Sequence, residues 1–308
     1  MLKENPNTGE LVYEPDLQND EYVEIGERTF LLRPLGNESD TGKGKNSLVF
    51  LGIDPDGKED IIIKFCKYHS ENSLEHASKR FRRFEREIEA MFKANSDCLN
   101  PSILEFIDSG SLQINGKTFF YYGMEKAKCD LSDFLTDENP SFQERFDICA
   151  SIADSLRDLN SAGIYHRDLK PDNIFYVNGR FKIGDLGFIA HRNEDIGPEI
   201  EDKDDRIGPT ARMSPEACNR KYGRESDEFF KANTEIDETS DMFQLGSVFW
   251  YVFQGEIATG ILDSKDFRHS TKEIFDKMIK PTLEYDKLRR ITHDLLSIQI
   301  SELTNSLA

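Results

Sequence analysis

Residues 166–173 read His166-Arg167-Asp168-Leu169-Lys170-Pro171-Asp172-Asn173, and they are the most informative stretch of the chain. It supplies three different groups for phosphoryl transfer within one loop. A carboxylate can accept a hydroxyl proton, an ammonium two places on can neutralise a phosphate, and an amide oxygen five places on can hold Mg²⁺. The stretch therefore predicts phosphoryl-transfer chemistry, provided that the rest of the chain supplies the remaining parts in order.

A lysine, a glutamate and a second aspartate supply those parts. Lys64 ends the apolar run Ile61-Ile62-Ile63, which predicts a strand, and a lysine buried at a strand end needs an anion. The alternative is a lysine that leaves the sheet for solvent. Glu87 lies on a charged segment whose apolar residues recur at helical spacing. Asp185, in Gly184-Asp185-Leu186-Gly187, follows a predicted hairpin and offers a carboxylate to Mg²⁺.

In this order, the motifs resemble those of the eukaryotic-type Ser/Thr protein kinases over roughly residues 30 to 296. Two further similarities lie downstream, in Met213-Ser214-Pro215-Glu216 and in the apolar run that contains Asp241. The resemblance implies that Asp241 braces the catalytic loop from behind. It also implies that Arg290 pairs with Glu216.

The resemblance assigns a role to each candidate catalytic residue. Asp168 would orient the acceptor hydroxyl and take its proton, while Lys170 would stabilise charge on the moving phosphoryl group. Lys64, held by Glu87, would position the α- and β-phosphates of ATP. The implied cofactors are ATP and Mg²⁺. The implied metal ligands are Asn173 and Asp185.

A glycine-containing loop is the predicted site for the nucleotide phosphates. Glycines let backbone N–H groups approach phosphate oxygens, although a plain turn is the alternative interpretation. Ser47 replaces the third glycine of the family pattern, and Met124-Glu125-Lys126-Ala127 resembles the hinge that holds adenine. Ile62 stands where the family usually has alanine, so its bulk would narrow the adenine pocket. The predicted nucleotide-binding residues are Gly42, Gly44, Ser47, Val49, Lys64, Glu125 and Ala127.

The fold class that follows is α+β, with the bilobal architecture of protein kinases. Residues 1–21 are polar and contain two prolines, which predicts a flexible N-terminal tail rather than a signal peptide. Residues 22–126 are the expected N-lobe, which is β-rich and has one main helix. Residues 127–308 are the expected helical C-lobe, and the chemistry is expected where the two lobes meet.

The sequence departs from the family in two places. The segment from Phe188 to Pro209 contains no Ser, Thr or Tyr, although Arg167 could pair with a phosphorylated residue there. We hypothesise that fixed carboxylates replace the phosphate, and a solvated acidic loop is the alternative. Between Gly255 and Thr271 the chain is short, and the helix that often docks partners looks truncated. The carboxylates are Glu194, Asp195, Glu199, Glu201, Asp202, Asp204 and Asp205.

Composition narrows the class of partner. The formal net charge of −19 argues against binding to nucleic acid or to an anionic membrane, since both are polyanions. It leaves room for a basic protein substrate. The five cysteines show no metal-binding spacing, which predicts reduced thiols and a cytoplasmic location. The sequence does not indicate the oligomeric state.

The predicted function is the transfer of the γ-phosphoryl group of ATP to Ser or Thr hydroxyls of a protein. Two alternatives stay open. One is a small-molecule phosphotransferase of the same superfamily, against which Lys170 and the Ser214-Pro215-Glu216 segment argue. The other is a nucleotide-binding pseudokinase scaffold, against which the presence of every catalytic residue type argues.

Overall fold

The computed structural model describes residues 1–15, 19–35, 46–71, 74–97, 101–187, 190–191, 200, 207–209, 212–222 and 233–307. The chain divides into two compact units. The first comprises Met1–Ser96 and Leu104–Lys126, and the second comprises Asp97–Ile103 and Ala127–Ala308. Strands dominate the first unit and helices dominate the second, in agreement with the predicted α+β class.

The first unit contains a two-stranded hairpin, a six-stranded antiparallel sheet and one long helix. In chain order, the elements are β1 (Leu2–Glu4), β2 (Leu11–Tyr13), β3 (Tyr22–Ile25), β4 (Arg28–Pro34), β5 (Ser47–Ile53), β6 (Ile61–His69), α1 (Glu75–Ser96), β7 (Phe106–Ile114) and β8 (Lys117–Glu125). The strands of the sheet lie in the order β3-β4-β5-β6-β8-β7.

Side chains alternate between the two faces of this sheet. One face forms the core, with side chains at most 3% exposed: Leu48, Phe50, Ile61, Ile63 and Phe65. Lys64 points to the opposite face, and its direct cross-strand neighbours are Val49 and Tyr122. The prediction that Lys64 ends its strand is therefore wrong. The alternation of inward and outward residues continues past Lys64, so β6 runs on to His69.

The prediction of a flexible tail at residues 1–21 is also wrong for the described part of that segment. β1 and β2 pair as an antiparallel hairpin. Leu2 and Leu11 are 5% and 0% exposed and belong to the core of the first unit. The Tyr13 ring meets the Phe50 ring edge-on, with centroids 5.1 Å apart. A few apolar side chains at alternating positions anchor this segment despite its polar composition.

The second unit consists mainly of helices, with short strands around the catalytic loop. Two 3₁₀ turns (Pro171–Asn173 and Lys287–Arg289) and a π-helical turn (Phe275–Ile279) complete it. In chain order, the other elements are β9 (Cys129–Asp130), α2 (Leu131–Asp137), α3 (Phe142–Ser161), β10 (Ile164–Tyr165), β11 (Ile174–Val177), β12 (Arg180–Ile183), β13 (Ala190–His191), α4 (Pro215–Tyr222), α5 (Glu238–Gln254), α6 (Lys272–Ile274), α7 (Lys280–Thr282) and α8 (His293–Leu307).

Helix α5 lies in the core of the second unit. It starts at a capping box formed by Asp237 and Ser240, and it ends at Gly255, whose φ of 71° closes the last turn. Residues 256–271 form bends and turns without a helix, as the short spacing predicted. Among the described residues, no helix is long and apolar enough to cross a membrane.

Candidate active site

The first unit contains the predicted ion pair between Lys64 and Glu87. Lys64 Nζ donates to Glu87 Oε1 at 2.6 Å, and the two side chains are 12% and 4% exposed. The hydroxyl of Tyr122 donates to the same carboxylate oxygen at 2.8 Å. Strand register places Tyr122 directly opposite Lys64, so β6, β8 and α1 together fix a buried ammonium. Sequence reasoning missed Tyr122, because its role depends on a strand register that no local motif encodes.

The residues predicted to hold the nucleotide phosphates are only partly described. Gly42 and Gly44 lie outside the described residues. Ser47 is the first residue of β5, and Val49 lies opposite Lys64 on the half-buried face of the sheet. Ile62 occupies the same face because it precedes Lys64 by two positions. This face therefore offers an apolar surface next to the lysine ammonium.

The predicted hinge residues lie at the end of β8 and just beyond it. Glu125 Oε1 accepts a hydrogen bond from the backbone N–H of Glu105 at 2.6 Å, and the Glu125 N–H donates to the Glu105 carbonyl at 3.0 Å. These contacts give the Glu125 carboxylate a structural role at the end of the strand. Ala127 is the first residue after the boundary between the units.

The second unit brings together the three groups of the catalytic loop. Asp168 is 6% exposed, and its Oδ2 accepts from Lys170 Nζ at 2.8 Å and from Asn173 Nδ2 at 3.2 Å. Asn173 Nδ2 also donates to the Asp168 carbonyl at 2.8 Å. The carboxylate is therefore oriented by an ammonium and an amide from its own loop.

His166 orients the loop from inside. Its Nε2 lies 3.0 Å from the Gly184 carbonyl, and its Nδ1 accepts from the Asp168 N–H at 3.2 Å. Since a carbonyl only accepts and an N–H only donates, these partners assign the imidazole proton to Nε2. The histidine thus ties the segment before Asp185 to the backbone of Asp168.

Asp241 supports the loop from behind, as predicted. One carboxylate oxygen accepts from the His166 N–H at 2.7 Å and from Asn160 Nδ2 at 3.0 Å, and the other accepts from the Arg167 N–H at 2.7 Å. Arg167 has a φ of 65°, a conformation that a non-glycine residue keeps only when its surroundings hold it. Burial raises the pKa of Asp241, and the N–H donors oppose this effect.

Gln244 provides a second support that sequence reasoning missed. Its Oε1 accepts from the Leu169 N–H at 2.7 Å, and its Nε2 donates to the Arg167 carbonyl at 2.9 Å. A residue three positions after Asp241 lies on the same face of α5, which is the signal that could have identified it. Helix α5 therefore fixes the backbone on both sides of Asp168.

Asp185 lies close enough to Asp168 for its negative charge to raise the pKa of that carboxyl. It is exposed, and its φ of 58° turns the chain directly after Gly184. The Gly184 N–H donates to the Asn173 carbonyl at 2.9 Å, which links the two candidate metal ligands. Because Asn173 donates through Nδ2, its Oδ1 is the atom left for a cation. A carboxylate and an amide oxygen suit Mg²⁺, which is held by few protein ligands together with phosphates and water.

The Glu216–Arg290 pair stabilises the region beyond the catalytic loop. Arg290 Nη1 donates to Glu216 Oε1 at 2.6 Å, with side chains 0% and 2% exposed. The same nitrogen donates to the Thr239 carbonyl at 2.6 Å, and Arg290 Nε donates to the Glu284 carbonyl at 3.0 Å. The predicted pair is therefore present, and it joins α4 to the start of α5.

The electrostatics of Asp168 suit a proton acceptor. Burial raises its pKa, and the nearby Lys170 ammonium acts in the opposite direction. A raised pKa makes a carboxylate a better base toward a hydroxyl. The loop therefore combines a buried base, a cation beside it and two oxygen ligands, which is a set of groups suited to phosphoryl transfer.

Comparison with known proteins agrees with this chemistry. A family model described as the protein kinase domain matches residues 36–306, so the chain belongs to the protein kinase domain family. The hairpin of β1 and β2 lies outside the matched residues.

Several curated proteins are similar to the chain at low identity. A dual serine/threonine and tyrosine protein kinase of Tetraodon nigroviridis is 26% identical over 72% of this chain and 21% of its own length. A probable serine/threonine-protein kinase of Corynebacterium efficiens is 28% identical over 70% of this chain and 30% of its own length. A serine/threonine-protein kinase of Candida albicans is 33% identical over 60% of this chain and 14% of its own length. The chain thus spans less than a third of each of these proteins.

Proposed function

We propose that this protein transfers the γ-phosphoryl group of ATP to Ser or Thr hydroxyls of a protein substrate. The observation that carries the proposal is the buried Asp168 carboxylate, oriented by Lys170 and Asn173 on a loop that Asp241 holds in place. This arrangement positions a base without further rearrangement of the loop. The bilobal arrangement and the roles of the individual residues are parts of the same proposal.

Each residue has a defined task in this mechanism. Asp168 accepts the proton of the substrate hydroxyl, and Lys170 stabilises negative charge near it. Lys64, fixed by Glu87, supplies the cation for nucleotide phosphates. Asn173 and Asp185 would hold Mg²⁺, which would neutralise phosphate charge when bound.

The test is phosphate transfer from labelled ATP in the presence of Mg²⁺. Label on Ser or Thr of a generic protein, abolished by Asp168→Asn, would support the proposal. Label on sugars or aminoglycosides instead would indicate a small-molecule phosphotransferase. ATP binding without transfer to any acceptor would indicate a scaffold. Identification of the labelled amino acid separates Ser/Thr specificity from dual specificity, which the name of one relative includes.

We also propose that the enzyme is active without phosphorylation of the segment from Phe188 to Pro209. The support is the sequence, which has seven carboxylates and no hydroxyl side chain there, while Thr210 is the first hydroxyl that follows. These carboxylates lie outside the described residues. The negative charge of these carboxylates would take the place of a phosphate group that pairs with Arg167.

Replacement of the seven carboxylates by Asn and Gln tests this part of the proposal. We expect the variant to lose activity, whereas the control Asp294→Asn/Glu302→Gln on α8 should keep it. The measured mass of the active wild-type protein should equal the mass calculated from its sequence, with no added phosphate. Full activity of the first variant would contradict the proposal.

A further inference from the structure

Arg212 is a buried cation that the mechanism does not use. It lies between Pro209 and Ser214 and is 9% exposed. Its guanidinium carbon lies 5.2 Å from the centre of the Tyr251 ring. Its Nε is buried, and the guanidinium has neither a hydrogen bond nor an ion pair with any residue that the structure describes. Within the part of the chain that the structure describes, the cation is therefore held by packing and has no polar partner for its guanidinium.

The surroundings of Arg212 place it beside the catalytic loop. Tyr251 lies on α5, and its hydroxyl is 2.7 Å from that of Ser132 at the start of α2. Asp172, two residues after Lys170, is the carboxylate whose charge reaches the guanidinium. Burial lowers the pKa of Arg212 more than Asp172 raises it. The described groups near the cation thus leave it desolvated, and none of them forms an ion pair with it.

A desolvated cation whose N–H groups have no acceptor costs free energy unless an anion accepts hydrogen bonds from it. Guanidinium is suited to this task, because its planar donors match a carboxylate or a phosphate in a bidentate manner. The position next to the catalytic loop points to an anion on the molecule that is phosphorylated. A cation that served only to pack on Tyr251 would need no such anion.

We propose that Arg212 binds an anionic side chain of the protein substrate, either a carboxylate or a phosphorylated residue, near the acceptor hydroxyl. The inference rests on the proposed function for the identity of the ligand as a protein substrate. The inference differs from what the net charge of the chain alone would predict about the substrate. The net charge of −19 favours basic partners over the surface as a whole, whereas Arg212 favours an acidic residue at one position.

The test measures binding of matched peptides to the full chain by fluorescence anisotropy. Each peptide contains one serine acceptor, and the residues that flank it are Gln, Glu, phosphoserine or Lys. We expect the wild-type protein to bind the Glu or the phosphoserine peptide about tenfold more tightly than the Gln peptide, since a hydrogen bond to a charged group typically contributes that much. The preference should weaken as salt is added. The relative affinity of the Glu and phosphoserine peptides identifies the preferred anion.

Three variants separate recognition from packing. Arg212→Gln should lose the preference for anionic peptides, and Arg212→Lys should keep part of it because the charge remains. Arg289→Gln, which removes an arginine that is 78% exposed, should bind like the wild type. Equal affinity of the wild type for all peptides, or an unchanged preference in Arg212→Gln, would overturn the inference. If Arg212→Gln does not fold, the wild type and Arg212→Lys decide the matter.

Phosphate transfer to the same peptides distinguishes this inference from the proposed function. A binding preference without transfer to any peptide would remove the proposed function and leave the anion site. Transfer without a preference in either binding or rate would retain the function and remove the anion site.

Discussion

Two buried carboxylates, Glu87 in the first unit and Asp241 in the second, are stabilised in different ways. Glu87 Oε1 accepts from the Lys64 ammonium and from the Tyr122 hydroxyl, both of them side-chain groups. Asp241 accepts from two backbone N–H groups and one amide. The first carboxylate holds side chains, Lys64 among them, whereas the second fixes the course of the chain around Asp168. Loss of Glu87 should therefore displace one functional group, and loss of Asp241 should disturb a whole loop.

The largest effect on stability is expected for Asp241→Ala. The change removes the acceptor of two backbone N–H groups and one of the two acceptors of Asn160 Nδ2. Each such loss costs roughly 1–3 kcal/mol, so we expect the free energy of unfolding to fall by about 4 kcal/mol. Chemical denaturation measures this change. Gln244→Ala, which removes two contacts instead, is the matched variant and should cost about half as much. Equal stability of Asp241→Ala and the wild type would show that Asp241 does not hold the loop around Asp168.

The next effect concerns the ion pair in the first unit. Glu87→Gln removes the carboxylate charge that pairs with Lys64 Nζ, and we expect a cost of about 3 kcal/mol. The double variant Lys64→Met/Glu87→Leu removes both charges and should recover most of this stability. Both variants should lose phosphate transfer. A double variant as unstable as Glu87→Gln would show that the pair itself stabilises the fold.

Leu11→Ala tests whether the N-terminal hairpin belongs to the first unit. Leu11 is fully buried, and truncation of such a leucine typically costs about 2–3 kcal/mol. Val12→Ala, at the neighbouring half-buried position, is the control and should cost less than about 1 kcal/mol. Thermal or chemical unfolding checks both values. If Leu11→Ala does not change the stability of the protein, residues 1–21 would again be interpreted as a flexible tail.

The smallest effect is a pH dependence in the second unit. His293 Nε2 donates to Asn160 Oδ1 at 2.9 Å, and burial lowers the pKa of His293 to about 4. The unfolded chain takes up this proton first as the pH falls below about 6.5, so stability should decrease between pH 6.5 and 4 by roughly 2 kcal/mol. His293→Gln should flatten the profile, and the exposed His76→Gln should not. An unchanged profile in His293→Gln would contradict this assignment.

The sequence predicted the parts of this molecule that local patterns encode. The octapeptide identified Asp168 and Asn173 as candidates, and the resemblance to protein kinases implied the role of Asp241. Tyr122 could not be predicted, because its role depends on a strand register. Gln244 makes its contact across 75 residues of chain, and only its position three residues after Asp241 on a predicted helix could have indicated it. The N-terminal hairpin was missed for a similar reason. Its few apolar side chains can be recognised as core residues only when the sheet against which they pack is known.

The role of Asp168 as the base is tested by the rate of phosphate transfer by Asp168→Asn relative to the wild type, with ATP binding measured in parallel. Loss of a positioned general base typically lowers the rate by 10²–10⁴, and we expect about a thousandfold decrease with ATP affinity unchanged. Transfer within a few fold of the wild-type rate would contradict the account of the catalytic loop.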